Sequence, residues 1–232
     1  MLEDFVKNSH EKSKQVEDIR RLFNSIPIYI KDPLPENVDL NRVIEFLQNV
    51  MPSFYFRNLD LIYIGQFEDL KKRELNAMYD SGAIYLTNEQ EDEQDMVDEI
   101  IHETAHLLEE AYGNEIYSDD KIEVEFLGKR KRLERILRFQ EYDTSPYNFL
   151  DSDFSKDLDD FFYKSVGYPK LETLAMWLFI SPYAATSVSE YIAIAFEEYY
   201  LGDRKMLNAI SPKAFMKIQH INNIGENYEL DS

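Results

Sequence analysis

The chain contains no cysteine, which excludes a disulfide framework, a thiolate metal site and a cysteine nucleophile together. Any metal held by these 232 residues must therefore sit on histidine and carboxylate. Histidine itself is scarce, at four residues, so a pair at ligand spacing is informative. No apolar run is long enough to cross a bilayer. The amino terminus, Met1-Leu-Glu-Asp-Phe-Val-Lys7, is acidic at once and lacks the apolar core of a signal peptide. The expectation is a cytosolic protein, or one exported or injected without a conventional signal. Positive charge is in deficit: the net charge of −20 argues against nucleic-acid and anionic-membrane partners. With 44% hydrophobic residues the chain can bury a sizeable core.

What is present is a run from Asp95 to Tyr112 that holds His102-Glu103-Thr-Ala-His106. Val97, Ile100, Ile101, Ala105, Leu108 and Ala111 recur at helical spacing. Thr87 with Gln90, or Asn88 with Glu91, offers a capping signature, and Gly113 an end. On a helix, residues four apart share a face, so His102 and His106 can direct imidazole nitrogens at one metal ion with Glu103 beside it. That is the arrangement a zinc hydrolase uses. Packing histidines with ordinary hydrogen bonds would give the same pattern.

Around this run, residues 3–24 are predicted as an amphipathic helix stopped by Pro27, with His10 on its polar side. Ile28 to Pro35 reads as an extended connection, and a second helix is predicted from the cap Asp39 to Val50, closed by Pro52. Leu61 to Phe67 alternates as a strand, and Asn76 to Thr87 reads as a hairpin turning at Asp80-Ser81-Gly82. Strand 83–87 feeds the HExxH helix. It is expected either as a plain edge strand or as one that pairs with an extended peptide substrate. A helix from Ile122 to Tyr142 carries the basic run Lys129-Arg-Lys-Arg132 with Arg135 and Arg138. This run is expected to dock on the protein's own carboxylates or to bind a partner. Helices are also predicted over 151–167 and 170–180, the second with Leu171, Leu174, Met176, Trp177 and Phe179 in the core. Another follows Thr186 or Ser187 to Gly202, and a last one opens at Ser211-Pro212 and contains His220.

Two imidazoles leave a catalytic zinc one protein ligand short. The HExxHxxGxxH design requires glycine at 109 and histidine at 112, where this chain has Glu109 and Tyr112. A carboxylate from a later helix remains, and Glu172, Glu190, Glu197, Glu198 and Asp203 compete. Ser187-x-x-Glu190 also matches a capping box, in which Glu190 would serve a backbone amide instead.

The segment Glu190-Tyr-Ile-Ala-Ile-Ala-Phe196, with Tyr183 seven residues upstream, resembles the third-ligand helix of the anthrax lethal factor catalytic domain and the related Pro-Pro endopeptidases. The resemblance covers strand 83–87, the HExxH helix and residues 183–202. It implies a gluzincin-type zinc metallopeptidase with His102, His106 and Glu190 as metal ligands, Glu103 as general base and Tyr183 lining the cleft to assist the oxyanion or leaving group. The implied fold is α+β and zincin-like: a small, mostly antiparallel sheet, an active-site helix and a mainly helical C-terminal part. One domain of two lobes is expected, 1–112 and 113–232, with 114–170 as an insertion. Two departures stand out. The interval from His102 to Glu190 is longer than such proteins show, and Ile194 stands where the lethal factor helix has an acidic residue that can buttress a ligating histidine. Asp98, one turn before His102, is a substitute buttress. The rival functions are a protein-interaction module in which metal is structural or absent, and a metal hydrolase of a non-peptide amide.

Overall fold

A computed structural model describes residues 18–230 of the chain. The compact units divide between Leu107 and Leu108, so each is taken by itself.

In the first unit, five short strands form one sheet: β1 (Asp18–Leu22), β2 (Ile26–Ile30), β3 (Leu61–Ile64), β4 (Ala77–Asp80) and β5 (Ala83–Leu86), in the order β1-β2-β3-β5-β4. β1 pairs with β2 and β4 with β5 antiparallel, whereas β2 with β3 and β3 with β5 run parallel. The expected mostly antiparallel sheet is therefore a mixed one. Alternation sets its faces. Ile28, Ile62, Ile64, Ile84 and Leu86 are buried, while Tyr29, Tyr63 and Tyr85, aligned across the parallel strands, stay half-buried on the other face.

Two sequence expectations change here. The helix over 3–24 falls largely outside the described residues, and its end, Asp18–Leu22, is a strand registered against Ile26–Ile30. Pairing with the β-branched β2, where Leu22 becomes fully buried, decides the conformation over local helical spacing. The connection expected at 28–35 begins as that strand. Secondly, β5 is not an edge: it is flanked by β3 and β4, and β4 closes that side of the sheet. Strand 83–87 thus has both rows of backbone groups committed, and any added strand on this side must meet β4.

Other local signals hold. α1 (Leu40–Val50) is capped by Asp39, whose side chain accepts the Asn41 N–H at 2.9 Å, and it ends before Pro52. The β4–β5 hairpin turns through Ser81 and Gly82 at φ of 49° and 84°, the two left-handed residues a two-residue hairpin loop needs. A side chain at 82 would also bring its Cβ to 2.9 Å from Asp60 Oδ2. α2 (Glu68–Arg73) is a short helix between β3 and β4.

α3 (Glu93–Tyr117) comprises two helical stretches that meet at a kink, where Tyr112 is off helical geometry at φ −123° and ψ 21°. The kink directly precedes Gly113, where the sequence places the end of the HExxH helix. The first unit's share of the helix buries Met96, Val97, Ile100, Ile101 and Ala105.

In the second unit, α4 (Lys121–Phe139) is followed by α5 (Lys156–Asp160), a π-helical turn (Phe161–Val166), α6 (Tyr168–Ala175), α7 (Val188–Leu201), α8 (Arg204–Ile210) and α9 (Pro212–Leu230). Buried Phe126, Leu133, Leu137, Phe162, Leu171, Phe179, Tyr191 and Phe196 form its core. The helix expected over 170–180 stops at Ala175, so Met176 and Trp177 are exposed at 62% and 68% instead of buried. Among the described residues no helix is long and apolar enough to cross a membrane.

Candidate metal centre

The HExxH segment lies in the middle of α3. The helix begins later than its predicted caps: Asp92 accepts the Asp95 N–H at 2.9 Å, and Asp95 reaches back to the Glu91 N–H at 3.1 Å. Thr87 is occupied one turn earlier, accepting from the Glu89 N–H with its hydroxyl and from Gln90 Nε2 with its carbonyl. Inside the helix the Thr104 hydroxyl bonds back to the Ile100 carbonyl at 2.7 Å and is fully buried. The face carrying His102 and His106 is half-buried.

The two imidazoles converge. Their ring centroids are 5.0 Å apart and the Nε2 atoms 3.2 Å apart. Two nitrogens on a tetrahedral zinc at ordinary bond length are separated by about 3.3 Å, so the pair already has the spacing of two ligands on one ion. Glu103, between them in sequence, is 6% exposed, and its Oε2 accepts the main-chain N–H of Tyr79 on β4 at 2.6 Å. Glu99, one turn before, is pushed up to about 7 by burial. The Asn76 hydrogen bond and the attraction of His102 oppose that shift, and the charges of Glu103 and Asp95 add to it. Asp98 accepts from Gln94 Nε2 at 2.6 Å.

In the second unit, Glu190 stands in the first turn of α7. Ser187, extended at φ −152° and ψ 167°, caps this helix through its own hydroxyl, which accepts the Glu190 N–H at 3.1 Å. The serine thus supplies the cap. One ligand atom each of His102, His106 and Glu190 lies within 4.8 Å of the others, close enough to hold a metal ion. Three of the competing carboxylates are engaged elsewhere or exposed: Asp203 caps α8 through the Lys205 N–H, Glu198 accepts the Asp203 N–H, and Glu172 faces solvent. His220 is exposed on α9. Two imidazoles and a carboxylate are a donor set suited to zinc in a chain without thiols.

Tyr183 opens a short 3-10 turn, Tyr183–Ala185, and its carbonyl accepts both the hydroxyl and the N–H of Thr186. Tyr168 on α6 feels the charges of both Tyr183 and Glu190. Its hydroxyl is pushed well above the usual tyrosine range, first by burial and then by its hydrogen bond to Asp159.

The basic run explains part of the long segment between the two sequence motifs. Lys129 and Arg130 point inward, and both find main-chain carbonyls where carboxylates were expected. Lys129 Nζ donates to the Ile210 carbonyl at 2.7 Å and to Ser211 Oγ, with the Tyr191 ring at 4.8 Å. Burial lowers its pKa to about 8. Arg130 is fully buried and donates to the carbonyls of Asp151 (2.9 Å), Asn148 (3.3 Å) and Thr186 (3.4 Å). It therefore fixes the chain just before the α7 cap. Val188, the first residue of α7, donates its N–H to the Ser152 carbonyl at 2.9 Å. Lys131, Arg132, Arg135 and Arg138 face solvent, with Arg138 held by Glu134 and Thr144.

Sequence reasoning also missed Glu109. Its carboxylate accepts the Ser189 hydroxyl at 2.5 Å and the Tyr117 hydroxyl. The signal was its placement one turn after His106, but its partner lies 80 residues away.

No protein-family model, no curated protein and no solved structure is similar to this chain. The functional reading therefore stands on the site.

Proposed function

We propose that the protein is a zinc-dependent endopeptidase with a zincin-like arrangement, in which His102, His106 and Glu190 hold the ion. The observation that carries the reading is the convergence of these three side chains, with the imidazole nitrogens at tetrahedral-ligand spacing. Zinc, when bound, supplies Lewis acidity that polarises a carbonyl and makes water acidic near neutral pH. The chain's own residues do the rest. Glu103 sits between the histidines, is largely shielded from water and is held by the Tyr79 amide. A carboxylate so placed accepts the proton of the attacking water and returns it to the leaving amine. Tyr183, seven residues before Glu190, is the donor assigned to the developing oxyanion, a role worth about 10²–10³ in rate in other hydrolases.

β4 supports peptide over other amides as substrate. In its hairpin register Asn76 pairs with Thr87 through the Thr87 N–H, which turns the N–H and carbonyl of Ala77 to the outer side of the sheet, while the Tyr79 N–H is taken by Glu103. An extended peptide can add there as a further strand, beside the residue that holds Glu103.

The test is metal analysis and cleavage of a peptide library read by mass spectrometry. About one zinc per chain, lost in His106→Ala, together with cleavage abolished in Glu103→Ala, is the expected result. Protein purified without added chelator that carries no metal, or full cleavage by Glu103→Ala, would sink the assignment and favour a binding module.

A further inference from the structure

In the second unit, three consecutive residues at the start of α7 are each tied to a different partner. Ser187 caps the helix by accepting the Glu190 N–H. Val188 donates its N–H to the Ser152 carbonyl. Ser189 donates its hydroxyl to Glu109 Oε2 at 2.5 Å. Because Ser187 already serves as the cap, the Ser189 hydroxyl is released from that duty. On the acceptor side, the other oxygen of Glu109 takes the Tyr117 hydroxyl from the far end of α3, beyond the off-helical Tyr112. Burial, with the Glu109 charge, raises the Tyr117 hydroxyl far above its ordinary range, so it stays protonated and remains a donor. Glu109 is thereby gripped from both oxygens by charge-assisted hydrogen bonds, the stronger class.

Successive residues on a helix are offset by about 100°. Fixing the Ser189 hydroxyl therefore fixes the azimuth at which its neighbour Glu190 leaves the helix. We propose that Glu109, held by Tyr117, is a positioning residue that sets the direction of Glu190 through Ser189, an inference that rests on Glu190 being a metal ligand. This pairing fills the role for which Ile194 has no polar group, with the support reaching the carboxylate ligand instead of an imidazole.

The experiment measures zinc affinity by competition with a chromogenic chelator for the wild type, Ser189→Ala, Ser189→Thr, Glu109→Gln and Glu190→Ala, with thermal midpoints of the metal-free proteins alongside. Loss of such outer contacts typically weakens metal binding about 10–100-fold. Ser189→Ala and Glu109→Gln are each expected to fall in that range, Ser189→Thr to recover most of the loss, and the Glu109→Gln/Ser189→Ala double variant to be no weaker than the poorer single one. In the Glu190→Ala background, Ser189→Ala is expected to change nothing further. Wild-type affinity in Ser189→Ala overturns the proposal while leaving the zinc reading intact. So does an equal loss in the Glu190→Ala background, because the effect then does not pass through Glu190. A wild-type protein that takes up no zinc overturns both. Should Ser189→Ala fail to fold, Glu109→Gln with and without Glu190→Ala gives the same decision.

Discussion

Glu103 and Tyr79 are joined by a hydrogen bond in which the edge-strand amide donates to the carboxylate at 2.6 Å. The residue proposed to transfer the proton is thus held by the strand beside which a peptide substrate is proposed to add. This link separates two substitutions that both remove the base. Glu103→Gln retains an oxygen that accepts from Tyr79, so its thermal midpoint should stay near wild type while hydrolysis falls by about 10²–10⁴. Glu103→Ala should lose activity equally and also leave the amide unmet, at about 1–3 kcal/mol. Equal stability of the two, read by calorimetry, would count against the Tyr79 contact.

Metal removal should destabilise the protein by mass action. Free zinc at 100 times its dissociation constant adds about 2.7 kcal/mol. Chelator should lower the thermal midpoint of the wild type and have no such effect on His106→Ala. An unchanged wild-type midpoint would argue that no ion is held.

Glu99 predicts a pH dependence of the metal-free protein. Its folded-state pKa is about 7, against an ordinary 4.5, with burial as the leading cause. The folded chain keeps a proton that the unfolded chain releases, so stability falls as pH rises from about 4.5 to about 7. A shift of this size corresponds to a loss on the order of 3 kcal/mol. Glu99→Gln, uncharged throughout, should lack this component. Urea midpoints measured at pH 5 and pH 8 give the comparison, and parallel changes in the two proteins would refute it.

Arg130 should be a stability residue and not a surface one. Arg130→Met keeps much of the bulk but strips donors from the carbonyls of Asp151, Asn148 and Thr186. At about 1–3 kcal/mol for a buried acceptor left unmet, a loss of roughly 2–4 kcal/mol is expected. The neighbouring Lys131→Met, exposed, should change stability by less than about 0.5 kcal/mol. Similar urea midpoints for the two variants would show that burial of Arg130 is not what it contributes.

The contrast between these neighbours also shows what local sequence can convey. Signals confined to a few residues were readable: the Asp39 cap, the Ser81-Gly82 turn and the i, i+4 histidines all act through contacts within one turn of chain. Glu190 emerged only because a flanking pattern singled it out, since Asp203 and Glu198 look equivalent until their capping roles are seen. What failed depends on pairing and packing beyond a single turn of chain. Asp18–Leu22 has helical spacing but becomes a strand against β2. Strand 83–87 reads as an edge until β4 folds onto its outer side. Lys129 and Arg130 read as part of a basic face that docks on carboxylates or binds a partner, because opposite charge is the usual company of a cation. Their burial is determined by carbonyls that the intervening residues bring back to α4.

The convergence of His106 and Glu190 has a further meaning for a chain without cysteine. An ion shared by these residues would act as a reversible cross-link, closing a loop of about 80 residues. A covalent bridge across such a loop would restrict the unfolded chain by roughly 4–5 kcal/mol. In this protein the same restriction would be released by a chelator instead of a reductant, and metal supply would then govern folding together with the proposed chemistry.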